Sequence, residues 1–166
     1  MAQFARPDSD ISNTSWTPST GATLWGCIDE EVASDTDYIR GNSTAGACVI
    51  GLSSVTDPQS STGHIIRVRA RANGSGAGER WTFQVRQGST IIETLASNAT
   101  LARAWTNLSA TLTAGEADSI TDYSALSIYA IPTTIAAGES IDISWVELEV
   151  PDAPEPVTRR VFITHF

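Results

Sequence analysis

The feature that most restricts what this chain can fold into is a strict two-residue alternation over residues 81–86. Trp81, Phe83 and Val85 are apolar, while Thr82, Gln84 and Arg86 are polar. Successive side chains on a strand point to opposite faces, so this pattern predicts a strand with one face buried. Residues 65–71 alternate in the same way, with Ile66, Val68 and Ala70 directed inward and Arg67, Arg69 and Arg71 outward. After the first strand comes Gln87-Gly88-Ser89-Thr90 and then an apolar run from Ile91 to Leu95, which predicts a tight hairpin.

Further β-like runs lie at residues 24–29, 47–52, 64–72, 81–87, 90–96, 105–113, 125–131 and 140–150, separated by clusters of Gly, Asn, Asp, Pro and Ser. This is the spacing of a sandwich or jelly roll. No segment keeps a helical period for the roughly ten residues that a helix needs. One turn is the exception, since Thr113 and Glu116 stand at capping-box spacing. In residues 141–145 the apolar positions are odd, and in residues 146–150 they are even. That slip between Trp145 and Val146 predicts a β-bulge or a crossing between buried faces.

The expected fold class is therefore all-β: a two-sheet antiparallel β-sandwich, jelly-roll-like, with extended N- and C-terminal arms. At 166 residues the chain suits one domain. The expected divisions are an N-terminal arm over residues 1–15, a sandwich domain over 16–150, and a Pro-rich spacer with a C-terminal strand over 151–166. Pro151, Pro154 and Pro156 stiffen that spacer, and the apolar stretch after it is placed to join a neighbouring sheet or to fold back as an edge strand.

A net charge of −9 argues against a general nucleic-acid partner, because phosphate repulsion would have to be overcome locally. No signal-peptide pattern opens the chain, and no apolar run reaches the roughly 20 residues that span a bilayer, so neither secretion nor a membrane is expected. Cys27 and Cys48 are the two cysteines, each inside an apolar run. They are read as a pair of buried thiols or, alternatively, as a disulfide between neighbouring strands; two Cys without nearby His do not make a zinc site.

No legible catalytic machinery stands in the sequence. His64 and His165 lie beside no nucleophile motif, and Gly-x-Ser-x-Gly, P-loop and dinucleotide fingerprints are missing, so no catalytic residue, cofactor or metal site is expected. Acidic residues gather at Asp8 and Asp10, at Asp29, Glu30 and Glu31, and at Asp35 and Asp37, followed by Tyr38. Such loop carboxylates either hold Ca²⁺ or are simply solvated, and solvation is the reading preferred. The arginine stripe at 67, 69 and 71, with Arg86 next door if the strands pair, either grips an acidic partner or pairs across the sheet with Glu93 or other carboxylates. Five tryptophans raise a sugar-platform reading. Trp81 and Trp145 alternate in phase with aliphatic residues and read as core, whereas the pattern leaves Trp16 and Trp105 undetermined.

Several blocks in order carry a resemblance: Ser15-Trp16-Thr17-Pro18, Thr23-Leu24-Trp25-Gly26-Cys27-Ile28-Asp29-Glu30, Asp35-Thr36-Asp37-Tyr38-Ile39, Gly51-Leu52-Ser53-Ser54-Val55-Thr56-Asp57-Pro58, Val85-Arg86-Gln87-Gly88-Ser89-Thr90 and Ser119-Ile120-Thr121-Asp122-Tyr123-Ser124-Ala125-Leu126. They run through nearly the whole body, and the chain resembles the β-sandwich virion proteins of tailed phages and prophages. The resemblance implies a jelly-roll-like module on the outside of a particle, made in the host cytoplasm and located on the virion surface. It further implies a non-enzymatic structural role, decorating or cementing a capsid as an oligomer, with the phage major capsid protein and a homotrimer of itself as partners. Contacts would fall on the chain ends, at Phe4, Arg6, Arg159, Arg160, Phe162 and Phe166. The alternative expectation is a carbohydrate-binding module of a head fibre or tail, attaching to surface glycans on the host.

Overall fold

The computed structural model describes residues 1–75 and 78–154. The expected C-terminal strand, with Arg159, Arg160, Phe162, His165 and Phe166, lies outside the described residues.

Among the described residues the chain forms eleven strands: β1 (Gln3–Ala5), β2 (Pro7–Asn13), β3 (Trp16–Pro18), β4 (Ile39–Asn42), β5 (Cys48–Leu52), β6 (Ile65–Asn73), β7 (Arg80–Gln87), β8 (Thr90–Thr100), β9 (Thr106–Thr111), β10 (Leu126–Thr134) and β11 (Ser140–Val150). Every pairing is antiparallel. One sheet runs β3-β4-β11-β6-β9, with β1 on the free flank of β11, and the other runs β2-β5-β10-β7-β8. From β4 onward, strands cross between the sheets to give β4-β11-β6-β9 facing β5-β10-β7-β8, the strand order of a jelly roll. The all-β antiparallel sandwich expected from the alternation is the fold observed.

Burial follows the alternation. Trp81, Phe83 and Val85 are 1%, 0% and 0% exposed, and they meet Ile128, Ala130 and Leu126 of β10 and Ile66, Val68 and Ala70 of β6 in one apolar core. The β7–β8 turn places Gly88 at φ 58°, the positive φ that Gly supplies at the first position of a two-residue hairpin loop. The capping box forms as its spacing predicts: Thr113 accepts from the Glu116 backbone and Glu116 reaches back to the Thr113 backbone, starting α1 (Ala114–Asp118).

Three expectations need correction. Residues 1–15 are not a free arm. Phe4 pairs with Glu149 in one sheet, Pro7 to Asn13 pair with β5 in the other, and the chain passes between them at Arg6. The run at 24–29 is not a strand but a 3₁₀ turn, Trp25–Cys27, because the Asp10 carboxylate accepts the backbone N–H groups of Leu24 at 2.8 Å and Trp25 at 2.9 Å. The bulge in β11 falls between Ile143 and Trp145, one residue earlier than the phase slip suggests. Of the two readings of the cysteines, the pair of buried thiols is the one observed and the disulfide is not: Cys27 and Cys48 are both buried and free, with the Cys27 Sγ–H donating to the Thr20 carbonyl at 3.2 Å.

Candidate functional site

β11 builds the site because its two faces carry different chemistry. Ile141 and Ile143 before the bulge, and Val146, Leu148 and Val150 after it, enter the core at 0% exposure. Asp142, Glu147 and Glu149 therefore stand on the outer face, opposite the arginine stripe of β6: Asp142 pairs with Arg71 and Glu147 with Arg67 in the strand register. The stripe is neutralised across the sheet. Arg67 binds Glu147 at 3.4 Å and also binds Glu149, Arg69 binds Asp35 at 2.6 Å, and Arg71 binds Asp142 at 3.0 Å. Cross-strand pairing is thus the role of the stripe, though neither Glu93 nor Arg86 takes part. Both lie in the other sheet, since β6 pairs with β11 and β9 rather than with β7.

At one end of this face two aromatic rings join the charges. Arg40, on β4, clamps Asp142 through Nε at 2.7 Å and Nη2 at 3.0 Å. Asp142 is itself fully buried beneath the two guanidinium groups it serves. Arg71 lies over Trp105 with its guanidinium carbon 4.5 Å from the ring centroid, and over Tyr38 at 5.9 Å. Arg40 covers Tyr38 at 5.0 Å, and the Tyr38 and Trp105 centroids are 6.1 Å apart. Both rings are half-buried and keep part of their surface toward solvent. The Asp142 bonds hold Arg40 above its ordinary pKa, and the Arg69 guanidinium holds the Asp35 carboxyl below the usual carboxylate range.

The two ring planes are tilted 54° to one another and each carries a guanidinium over it, so they offer an angled aromatic corner, rather than one flat platform, beside fixed donors and acceptors. Such a combination binds a ligand with both apolar faces and hydroxyl groups. The carboxylates here are committed to guanidinium groups, which removes them from acid–base work.

The other residues singled out in the sequence fall elsewhere. Trp16 is core, 2% exposed, with its ring N–H on the Gly46 carbonyl at 2.8 Å. Trp145 faces outward but is covered, its ring N–H donating to the Glu30 carbonyl at 2.8 Å. Phe4 is exposed on β1, with Arg6 stacked on it at 5.2 Å and paired to Glu147 at 2.6 Å. Asp10 caps the 3₁₀ turn and Asp37 accepts from the Thr20 hydroxyl at 3.1 Å. Burial pushes the Glu30 carboxyl above its ordinary value. Among the described residues no group of three or more His, Cys, Asp or Glu is placed to hold a metal, and no helix is long and apolar enough to cross a membrane.

Sequence reasoning noted Tyr38 only beside an acidic cluster and missed both its pairing with Trp105 and that of Arg40 with Asp142. Both depend on β4, a four-residue strand whose Ile-Arg-Gly-Asn sequence carries no alternation long enough to read.

No family model matches the chain, and no curated protein matches it. Solved structures similar at a distance include three carbohydrate-binding modules. The C-terminal CBM6 of LamC, a marine laminarinase from Zobellia galactanivorans, is 14% identical over 89% of this chain and 98% of that one, with a TM-score of 0.49. The CBM22-1 xylan-binding domain of Paenibacillus barcinonensis Xyn10C is 14% identical over 90% and 99%, at 0.46. The carbohydrate-binding module CBM6cm-2 of Cellvibrio mixtus lichenase 5A, solved with cellotriose, is 12% identical over 92% and 99%, at 0.39.

Proposed function

We propose that this chain is a non-catalytic carbohydrate-binding β-sandwich that attaches to a glycan-bearing surface through the outer face of the β11–β6 sheet. The observation that carries the reading is the Tyr38–Trp105 pair. Its rings lie 6.1 Å apart, tilted 54° to one another and only partly buried, and are braced by the ion-paired Arg40 and Arg71, whereas Trp16, Trp81 and Trp145 are buried. A pyranose ring presents an apolar C–H face to stack on such aromatics and hydroxyl groups to exchange hydrogen bonds with the adjoining guanidinium and carboxylate groups. The setting on a phage head fibre or tail is the part of the proposal that rests on the sequence resemblance. Capsid decoration through terminal arms has less support: residues 3–13 are paired into the two sheets, and residues 155–166 are outside the described part.

A glycan array followed by titration calorimetry tests the reading. Trp105→Ala and Tyr38→Ala are expected to weaken binding of the best array ligand about tenfold or more, with an unchanged circular dichroism spectrum. A blank array, or full affinity in both variants, would remove it.

A further inference from the structure

The aromatic pair has two unlike surroundings along the sheet. Toward the bulge of β11, residues 29–37 cross the outer face and are pinned there. Asp35 accepts from Arg69 Nε and Nη2 at 2.6 and 2.7 Å, and the Glu30 carbonyl accepts from Trp145 at 2.8 Å. This chain segment occupies the surface over which a ligand would continue along β11 and β6. In the opposite direction the face opens into a cavity of about 320 Å³, which Arg40 shares with Asn42, Ser43, Thr44, Asn73 and Ser140. Arg40 joins the two places, since its Nη2 is 3.4 Å from the Tyr38 hydroxyl while its side chain also lines the cavity.

The cavity differs from the aromatic corner in chemistry. It is lined by amides and hydroxyls together with Gly138 and Glu139, without an aromatic ring. The guanidinium groups nearby are already matched, Arg40 and Arg71 to Asp142 and Arg69 to Asp35. An added carboxylate or sulfate would have to compete with the carboxylates already held in these pairs.

We infer that the site reads a neutral, disaccharide-sized chain end. One ring stacks on Tyr38 and Trp105, its neighbour exchanges hydrogen bonds in the Asn42–Asn73 cavity, and the segment at 29–37 stops the chain from running further. This inference rests on the carbohydrate reading above and specifies its ligand.

The test uses the full chain and calorimetry with gluco- and manno-oligosaccharides of one to six units, with galacturonate oligomers as the acidic counterpart. Affinity is expected to rise about tenfold from one unit to two and less than about twofold beyond. Asn73→Ala, whose side chain makes no hydrogen bond within the described residues, and Ser43→Trp, which fills the cavity from an exposed position, are each expected to abolish the gain from the second unit. Both should keep the single-unit affinity. A gain that continues to four or six units, a gain that survives both variants, or tighter binding of galacturonate overturns the inference and leaves carbohydrate binding standing. Silence toward all of these oligomers overturns the inference as well, whereas a blank glycan array, or an array ligand indifferent to both Trp105→Ala and Tyr38→Ala, overturns the carbohydrate reading itself.

Discussion

His64 Nε2 and the Tyr123 hydroxyl stand 2.7 Å apart inside the sandwich, joined across 59 residues of sequence. The rings are stacked, with centroids 5.9 Å apart, and His64 is fully buried with no hydrogen-bond partner on Nδ1. Burial holds the His64 imidazole below its ordinary pKa, opposed by the charge of Asp57, and pushes the Tyr123 phenol up to about 12.

That pair makes stability fall on acidification. The unfolded chain protonates His64 below the ordinary histidine value of about 6.5, while the folded chain resists, so the contribution is fully present above that pH and is lost progressively below it. Between pH 7.5 and pH 5.5 the loss from this residue is expected to be no more than about 1.4 kcal/mol. Urea midpoints for wild type and His64→Phe check it: the variant should lose less stability over that range. An equal pH slope in the two proteins would refute the assignment.

Asp142 accepts from both Arg40 and Arg71 at 0% exposure, while the arginines remain roughly a third exposed. Removing one partner of a wholly buried pair costs about 3–5 kcal/mol. Here water reaches the guanidinium ends, and Asp142→Asn is expected to cost about 2 kcal/mol. Chemical denaturation measures the loss, and a double variant with Arg71→Met should restore part of it.

The two thiols should be silent in the folded protein. Burial pushes the Cys48 thiol up to about 12, so almost no thiolate forms near neutral pH. Ellman's reagent is expected to find neither cysteine in buffer within an hour and both in guanidinium chloride without reductant. Thiol-free unfolded protein would restore the disulfide reading of Cys27 and Cys48.

The long strands were legible because their burial is one-sided. β6 and β7 each expose one face, so Ile66, Val68 and Ala70, or Trp81, Phe83 and Val85, print the sheet's period directly into the sequence. The short edges were not legible for the converse reason. β2 buries Pro7 and leaves Asp8 to Asn13 exposed, and β3 has only three residues, so neither writes an alternation. The run around Trp25 misleads because its apolar side chains are real core but its backbone is capped by Asp10, far away in sequence. At the site, the arginine stripe was readable from residues 67–71, and the place of Trp105 was undetermined. The arrangement of the two was not readable, because which carboxylates face the stripe depends on β6 lying beside β11, a choice made by the whole topology.

β11 has a consequence for how the molecule is made. It is the strand to which β1, β4 and β6 all pair, and it comes last among the described strands. On a ribosome emitting about 5–20 residues each second, the jelly-roll's first sheet has no middle until Ser140 to Val150 emerge. Phe4 and its neighbours must wait until Leu148 to Val150 have been made for the strand they join. Nascent chains stalled before Ser140 are left with raw edges, and any chaperone need of this protein falls in that interval.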